Sequence, residues 1–325
     1  MLISMSLFPG QESLQSLPLL GGLAVAIGGA VLMSLGAHYQ HKGVGSLAVP
    51  GDDDGRSLTA LSIRHLLGSR VWLFGTVLLC CAVLAQILAL ALAPLAVVQP
   101  LGVLALVVST LLHARTHGVR TSRAAVYAMS LCVTGVVVFV MVAVAFTSNR
   151  PVTGQHSLTL SVMLGAVLAA ALLVSLVLRR IRRVGVLYFV AAAGVIYGLV
   201  VTLAKSMIST FQTGSVDVSI VVHGLVLVAG TVVGGYFVQA AHAVGRPHIV
   251  VAGLTVIDPA VAVAVGLYLL GEGSELPAWG SAVFVVAGAC AVYGVVELSR
   301  HQQGPPTEEA REKCPQRDEV PCPAR

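Results

Sequence analysis

Residues 91–102 read Ala-Leu-Ala-Pro-Leu-Ala-Val-Val-Gln-Pro-Leu-Gly, a joint marked by proline between two long apolar runs. The proline of this joint, Pro94, is the first residue of a Pro/Gly spacing that occurs again later in the chain. Two sets of three residues share the same spacing, 24 and then 17 residues: Pro94, Gly118 and Gly135, and Pro247, Gly271 and Gly288. An internal repeat of this kind predicts a fold built from two related halves.

The composition predicts a membrane protein. Hydrophobic residues make up 57% of the chain and charged residues 10%, and the mean hydropathy is +0.92, outside the range of soluble domains. Nine apolar runs are long enough to cross a bilayer: Leu19–Ala37, Val71–Leu92, Leu95–His113, Ala124–Phe146, Leu158–Leu178, Gly185–Met207, Val218–Ala241, Ile249–Leu270 and Pro277–Leu298. The sequence therefore predicts an all-α integral membrane protein with about nine transmembrane helices and the lipid bilayer as its surroundings.

The distribution of basic residues predicts the orientation. When the loops between the nine runs are assigned alternately to the two sides, all 19 Lys and Arg except Arg150 and Lys205 fall on one side. Basic loops stay in the cytoplasm. We therefore expect a multi-pass protein of the plasma membrane with an external N-terminus and a cytoplasmic C-terminus. The net charge of +5 then reflects topology, and no nucleic acid is expected as a partner.

The repeat is predicted to be inverted. Corresponding helices lie five apart in the chain, and an odd offset reverses their direction across the membrane. We expect one polytopic domain over residues 1–298, with repeat one at about 19–146 and repeat two at about 158–298. One helix of the second repeat is extra, and residues 299–325 form a disordered cytoplasmic tail. Transporters of this design bind their substrate between the repeats, near the middle of the bilayer.

Asp258 is the strongest candidate for a substrate or metal contact. It lies 11 residues after Pro247, about 16 Å along a helix, which is near the centre of a hydrocarbon core about 30 Å thick. Pro259 follows it and removes a helical hydrogen bond one turn earlier. A carboxylate beside freed carbonyls in a broken helix suits a cation or a proton, although a buried Asp can also be purely structural.

Four further polar residues are candidates for substrate binding: Gln99, Thr255, Gln86 and Lys205. Gln99 lies where the third helix is loosened, and Gln86 faces the same cavity or joins two helices through a hydrogen bond. Lys205 either pairs with Asp258, binds an anionic substrate or extends to the interface. Five residues are expected to act as hinges or helix breaks: Pro94, Pro100, Gly102, Pro247 and Pro259.

Three segments resemble a known family. The first helix ends in Gln40-His41-Lys42-Gly43, the second begins with Trp72-Leu73-Phe74-Gly75, and the joint at residues 92–102 follows. In order and spacing these are similar to the NIPA-type branch of the drug/metabolite transporter superfamily. The resemblance implies an EamA-like transporter fold and transport of magnesium or other divalent cations. The chain departs from the family at Ala82–Gln86 and His113–Arg115, where it has no carboxylate.

Several function classes remain open. We expect a permease that carries a divalent cation or a small metabolite by alternating access, without a cofactor; a second copy of the chain is a candidate partner. A drug or lipid-precursor exporter or flippase is the alternative. A membrane-embedded transferase would need several spaced acidic motifs to hold Mg²⁺ and diphosphate, whereas Asp52-Asp53-Asp54 is a single run. A scaffold without transport activity is the remaining class, and an enzyme is not expected.

Overall fold

The computed structural model describes residues 10–45, 68–116, 122–147, 154–181, 185–214, 217–245 and 247–301. The Asp52-Asp53-Asp54 loop, Gly118, Arg150 and the end of the predicted tail lie outside these residues. The described chain forms ten helices: α1 (Gly10–Gly45), α2 (Arg70–Leu92), α3 (Leu95–Gly102), α4 (Leu104–Thr116), α5 (Arg123–Phe146), α6 (Gly154–Ile181), α7 (Val186–Gln212), α8 (Ser219–Val244), α9 (Pro247–Tyr268) and α10 (Ala278–His301).

Nine spans in the described residues are long and apolar enough to cross a membrane, with α3 and α4 together making one of them. The predicted all-α membrane protein with nine transmembrane helices is therefore confirmed. The first helix is longer than its apolar run, because backbone hydrogen bonding continues to Gly45 after the hydrophobic residues end.

Local sequence explains where individual helices begin and end. Ser69 caps α2 and Ser122 caps α5, each through a side-chain oxygen that accepts a backbone N–H of the first turn. Pro94 ends α2, because the residue before a proline favours an extended conformation, and Ala93 has φ −134° and ψ 157°. The third predicted helix is divided at Val103, three residues after Pro100.

The helices pack in two corresponding groups. In the first group α1 contacts α2 and the α3–α4 span, and α3 contacts α5; in the second group α7 contacts α8 and α9, and α9 contacts α10. The groups meet where α5 packs along α10 and where α3 packs against α9. Helix α6 packs on α7 and α8 through the Ser157–Ser206 and Ser161–His223 hydrogen bonds, of 2.6 and 2.7 Å.

Small residues allow the closest helix contacts. A Cβ atom added at Gly135 of α5 would lie 2.6 Å from the backbone nitrogen of Ala291 in α10. A Cβ atom added at Gly75 of α2 would lie 2.6 Å from the backbone nitrogen of Gln40 in α1. Such distances leave no room for a side chain, which is how small residues let membrane helices approach. The α5–α10 seam is therefore a tightly packed junction between the two groups.

Candidate functional site

Asp258 lies in the middle of α9, on a helix that continues through Pro259 to Tyr268. The expected helix break at this proline is therefore not present. Neighbouring helices often accommodate a proline in a membrane span, and here α7 packs closely beside it. A Cβ added at Gly198 of α7 would lie 2.9 Å from the Asp258 carbonyl oxygen.

The Asp258 side chain carries a buried polar atom without a partner. Within the described residues its Oδ1 atom accepts no hydrogen bond. Tyr197 of α7 is close enough to interact electrostatically with the carboxyl group. An unpaired buried oxygen is rare because it costs about 1–3 kcal/mol, so this position suits a ligand or a proton.

Gln99 of α3 has the second such atom. Its side chain is 6% exposed, and its Nε2 amide donates no hydrogen bond within the described residues. Gln99 is followed by Pro100 and by the break between α3 and α4. At this break the Val103 amide donates a hydrogen bond to the Pro100 carbonyl at 3.2 Å. The predicted loosening of this helix thus corresponds to an interruption at Val103, one residue after Gly102.

The break in the α3–α4 span lies level with Asp258. Leu95, at the start of α3, packs against Gly266, near the end of α9, so the two helices run in opposite directions. Counting about 1.5 Å per residue from this contact places Asp258 level with Val103 and Gln99 about 6 Å away along the helix axes. The structure therefore brings Gln99 and Asp258 to neighbouring depths on two helices that touch.

A cavity of about 340 Å³ lies next to this level, between α3, α5, α9 and α10. Three of the predicted residues line it, Pro100, Thr255 and Pro259, whereas Asp258 and Gln99 do not. Most other lining residues are apolar, and the Thr255 hydroxyl donates to the Val251 carbonyl of its own helix at 2.6 Å. Gln86 does not line the cavity either. It is half-buried on α2, and the preceding residue, Ala85, packs against Gly29 of α1.

Lys205 neither pairs with Asp258 nor extends to the membrane interface, the two positions expected for it. It is 3% exposed on α7, and its Nζ atom donates to the Leu90 and Ala93 carbonyls at the end of α2, the latter at 2.8 Å. Its charge also interacts with that of Glu272. Lys205 thus binds the α2–α3 corner rather than the level of Asp258.

Glu272 is the residue that the sequence reasoning missed. It is 2% exposed in the loop between α9 and α10, and its two carboxylate oxygens accept the Leu95 and Ala96 amides at 2.9 and 3.2 Å. Gly271 precedes it at φ +71°, a conformation that glycine adopts without strain, and this turn directs Glu272 back over α9. In the sequence, Glu272 stands between two glycines in a loop at the same end of the bundle as Lys205, and this pattern could have marked it as a candidate.

Opposing effects act on the Glu272 carboxyl group. Burial raises its pKa above the ordinary value, while the Leu95 amide, the Lys205 charge and the Ala96 amide lower it. The two amides and the ammonium group are the partners that a buried carboxylate needs. The arrangement therefore brings Glu272 and Lys205 to one end of the bundle, apart from Asp258.

The described residues contain no group of three or more His, Cys, Asp and Glu side chains placed to hold a metal ion. At the level of Asp258, a cation would therefore meet one carboxylate together with neutral oxygen atoms. Mg²⁺ is commonly bound by one or two carboxylates while it keeps several waters.

Comparison with known proteins adds a family resemblance over part of the chain. A family model described as Magnesium transporter NIPA matches residues 19–159. An uncharacterized protein of Corynebacterium glutamicum is 25% identical over 287 residues, which cover 85% of this chain and 93% of that protein. No solved structure matches the chain. The match and the nine apolar spans support a membrane transporter. Over residues 19–159, which run from within α1 to the start of α6, the resemblance to the NIPA family is confirmed.

Proposed function

We propose that the chain is a secondary transporter that carries a small solute, a divalent cation such as Mg²⁺ or a small metabolite, across the cell membrane by alternating access. The observation that carries the proposal is the Oδ1 atom of Asp258, in the middle of a transmembrane helix, which accepts no hydrogen bond from any residue that the structure describes. A charged side chain at this depth costs about 2.5–3.5 kcal/mol on insertion scales. A cation or a proton bound there offsets that cost.

Neutral oxygen atoms on either side of Asp258 along the helix axes complete a path for a cation. Pro100 and Pro259 have no N–H, so the carbonyls of Ala96 and Thr255 lack their usual helical donors. Thr255 also lines the cavity, and Gln99 lies one turn from the helix break. Oxygen atoms of this kind are the ligands that hard cations prefer.

The packing of the helices supports the inverted repeat as part of this proposal. Helices α1 to α5 and α7 to α10 form corresponding contacts, with α3 against α9 at the level of the site. In transporters with inverted repeats, the substrate binds where the two repeats meet near the midplane. Gln99 of the first half and Asp258 of the second occupy that place.

Transport by the purified protein in liposomes with a trapped Mg²⁺ indicator tests the proposal. Asp258→Asn keeps the size of the side chain and removes its charge, and we expect it to lower the initial rate at least about tenfold, as for a lost contact to a charged group. Asp217→Asn is the matched control, since Asp217 is exposed and its side-chain oxygen caps the Val218 amide in either form. A wild-type rate in Asp258→Asn would reject the assigned site.

The apolar cavity favours a second candidate function, export of an amphipathic organic solute. The cavity opens toward exposed side chains of the apolar spans, among them Tyr268 at 89% and Val285 at 70% exposure. An amphipathic solute could place its hydrocarbon there, beside Pro259, the neighbour of Asp258 in the chain. Thermal stabilisation separates the candidates, because a ligand that binds only the folded state raises its melting temperature; Mg²⁺ or an organic cation should do so in wild type and not in Asp258→Asn.

The orientation in the cell membrane is part of the proposal. The positions of the basic residues support a cytoplasmic C-terminus. In intact cells, Cys314 and Cys322 should then resist a membrane-impermeant maleimide until the cells are permeabilised. Labelling of either cysteine in intact cells would reverse the proposed orientation.

A further inference from the structure

The corner between α2 and α3 lacks the backbone hydrogen bonds of a continuous helix. Pro94 has no N–H to donate to the Leu90 carbonyl four residues earlier. The Leu95 and Ala96 amides, which would bond to Ala91 and Leu92 in a continuous helix, point away from α2 to Glu272. Unpaired backbone groups are costly inside a bilayer, so the corner needs partners from elsewhere in the chain.

Side chains from the second half of the chain supply these partners. Lys205 of α7 donates to the Leu90 and Ala93 carbonyls, and Gln212, the last residue of α7, donates to the Ala91 carbonyl at 3.1 Å. Glu272 accepts the two amides. We call Lys205, Glu272 and the corner at residues 90–96 the clasp.

The clasp joins the two helices that carry the site. Leu95 packs on Gly266, and a Cβ added at Gly266 would lie 3.2 Å from Leu95 Cβ and 3.1 Å from a Glu272 carboxylate oxygen. The start of α3, which carries Gln99, is thus held against the end of α9, which carries Asp258. Separation of these helix ends would open a path from this end of the bundle to the site.

The chemistry of the clasp suits a contact that opens to water. Replacing a protein hydrogen bond by a hydrogen bond to water changes the free energy by only about 0.5–1.5 kcal/mol, whereas the same groups cannot be exposed to lipid. The α5–α10 seam, by contrast, is packed through small residues at distances that leave no space for water. We infer that the clasp is the gate that closes the transporter at the α2–α3 end, an inference that rests on the proposed transport function.

A disulfide across the clasp tests the gate in full-length protein whose six natural cysteines are replaced. Leu95→Cys with Gly266→Cys joins the two halves, and their β-carbons lie close enough for a disulfide. Gly29→Cys with Ala85→Cys is the matched control, because a Cβ at Gly29 also lies 3.2 Å from Ala85 Cβ but both helices belong to the first half. Oxidation should stop transport only in the first variant, and a reductant should restore it. Transport by the oxidised Leu95/Gly266 variant at the control rate would overturn the gate.

A second measurement tests the gate without relying on transport. In the same background, Gln99→Cys is exposed to an impermeant maleimide from the α2–α3 end of the protein in liposomes. Glu272→Gln and Lys205→Gln each keep a hydrogen-bonding side chain and remove a charge, and we expect each to raise the labelling rate about tenfold, a shift of about 1.4 kcal/mol toward the open state. Unchanged labelling in both variants would reject the gate. If labelling rises while the parent protein moves neither Mg²⁺ nor an organic solute, the transport proposal fails and the opening remains.

Discussion

Pro94 has no N–H, so the Leu90 carbonyl loses its helical donor. The buried Lys205 and Glu272 side chains supply the donor and the acceptor that the corner between α2 and α3 lacks. The ammonium group lies at the end of α2, where carbonyls point outward, and the carboxylate lies at the start of α3, where amides do. Each charge therefore faces the helix end of opposite polarity, which is the favourable placement. A single proline thus accounts for two charges buried in an apolar protein.

Glu272→Ala should be much more harmful than Glu272→Gln. Alanine leaves two buried amides and the Lys205 charge without their partner, at a cost of about 3–5 kcal/mol in the free energy of unfolding. Glutamine keeps an acceptor oxygen and should cost about 1–3 kcal/mol. Melting temperatures of the purified variants in detergent measure the difference. Equal melting temperatures would show that the two amides do not depend on this side chain.

At the scale of the helices, the two charges of the clasp cannot be exchanged without cost, because each one faces a helix end of fixed polarity. In the exchange of Lys205→Glu with Glu272→Lys, the new carboxylate would face the carbonyls of α2 and the new ammonium group would face the amides of α3. Both placements oppose the helix dipoles. We therefore expect the double variant to be at least as unstable as either single variant, measured by melting temperature. Recovery to near the wild-type value would mean that the pair acts only through its mutual attraction.

The helices could be predicted from the sequence more fully than the contacts between their ends. Nine apolar runs correspond to nine spans, because burial in hydrocarbon is decided by local composition. The break near Pro100 was visible in Gln99, Pro100 and Gly102. The expected break at Pro259 is absent, and α7 packs closely against the helix there. Glu272 escaped prediction because its place between two glycines does not by itself show that the carboxylate caps a helix that begins 177 residues earlier.

At the scale of the whole molecule, the inverted repeat remains a prediction with a sharp test. The span from α2 to α5 should superpose on α8 to α10 after rotation about an axis in the membrane plane. Pro94 should then fall on Pro247 and Gly135 on Gly288. A best fit shifted by several residues, or an axis along the membrane normal, would contradict the repeat and with it a site shared by the two halves.

The distance in sequence between the corner and its partners has a consequence for biosynthesis. Leu95 is made long before Glu272, 177 residues later, and at about 5–20 residues per second the ribosome needs about 10–35 seconds to cover that interval. During that time the first half lies in the membrane with amides and carbonyls that its own residues do not satisfy. A nascent chain stopped at residue 150 should therefore be degraded faster in cells than the full-length protein, as a pulse–chase experiment would show. Co-expression of residues 151–325 should slow that degradation, and Glu272→Ala in the second fragment should remove the protection.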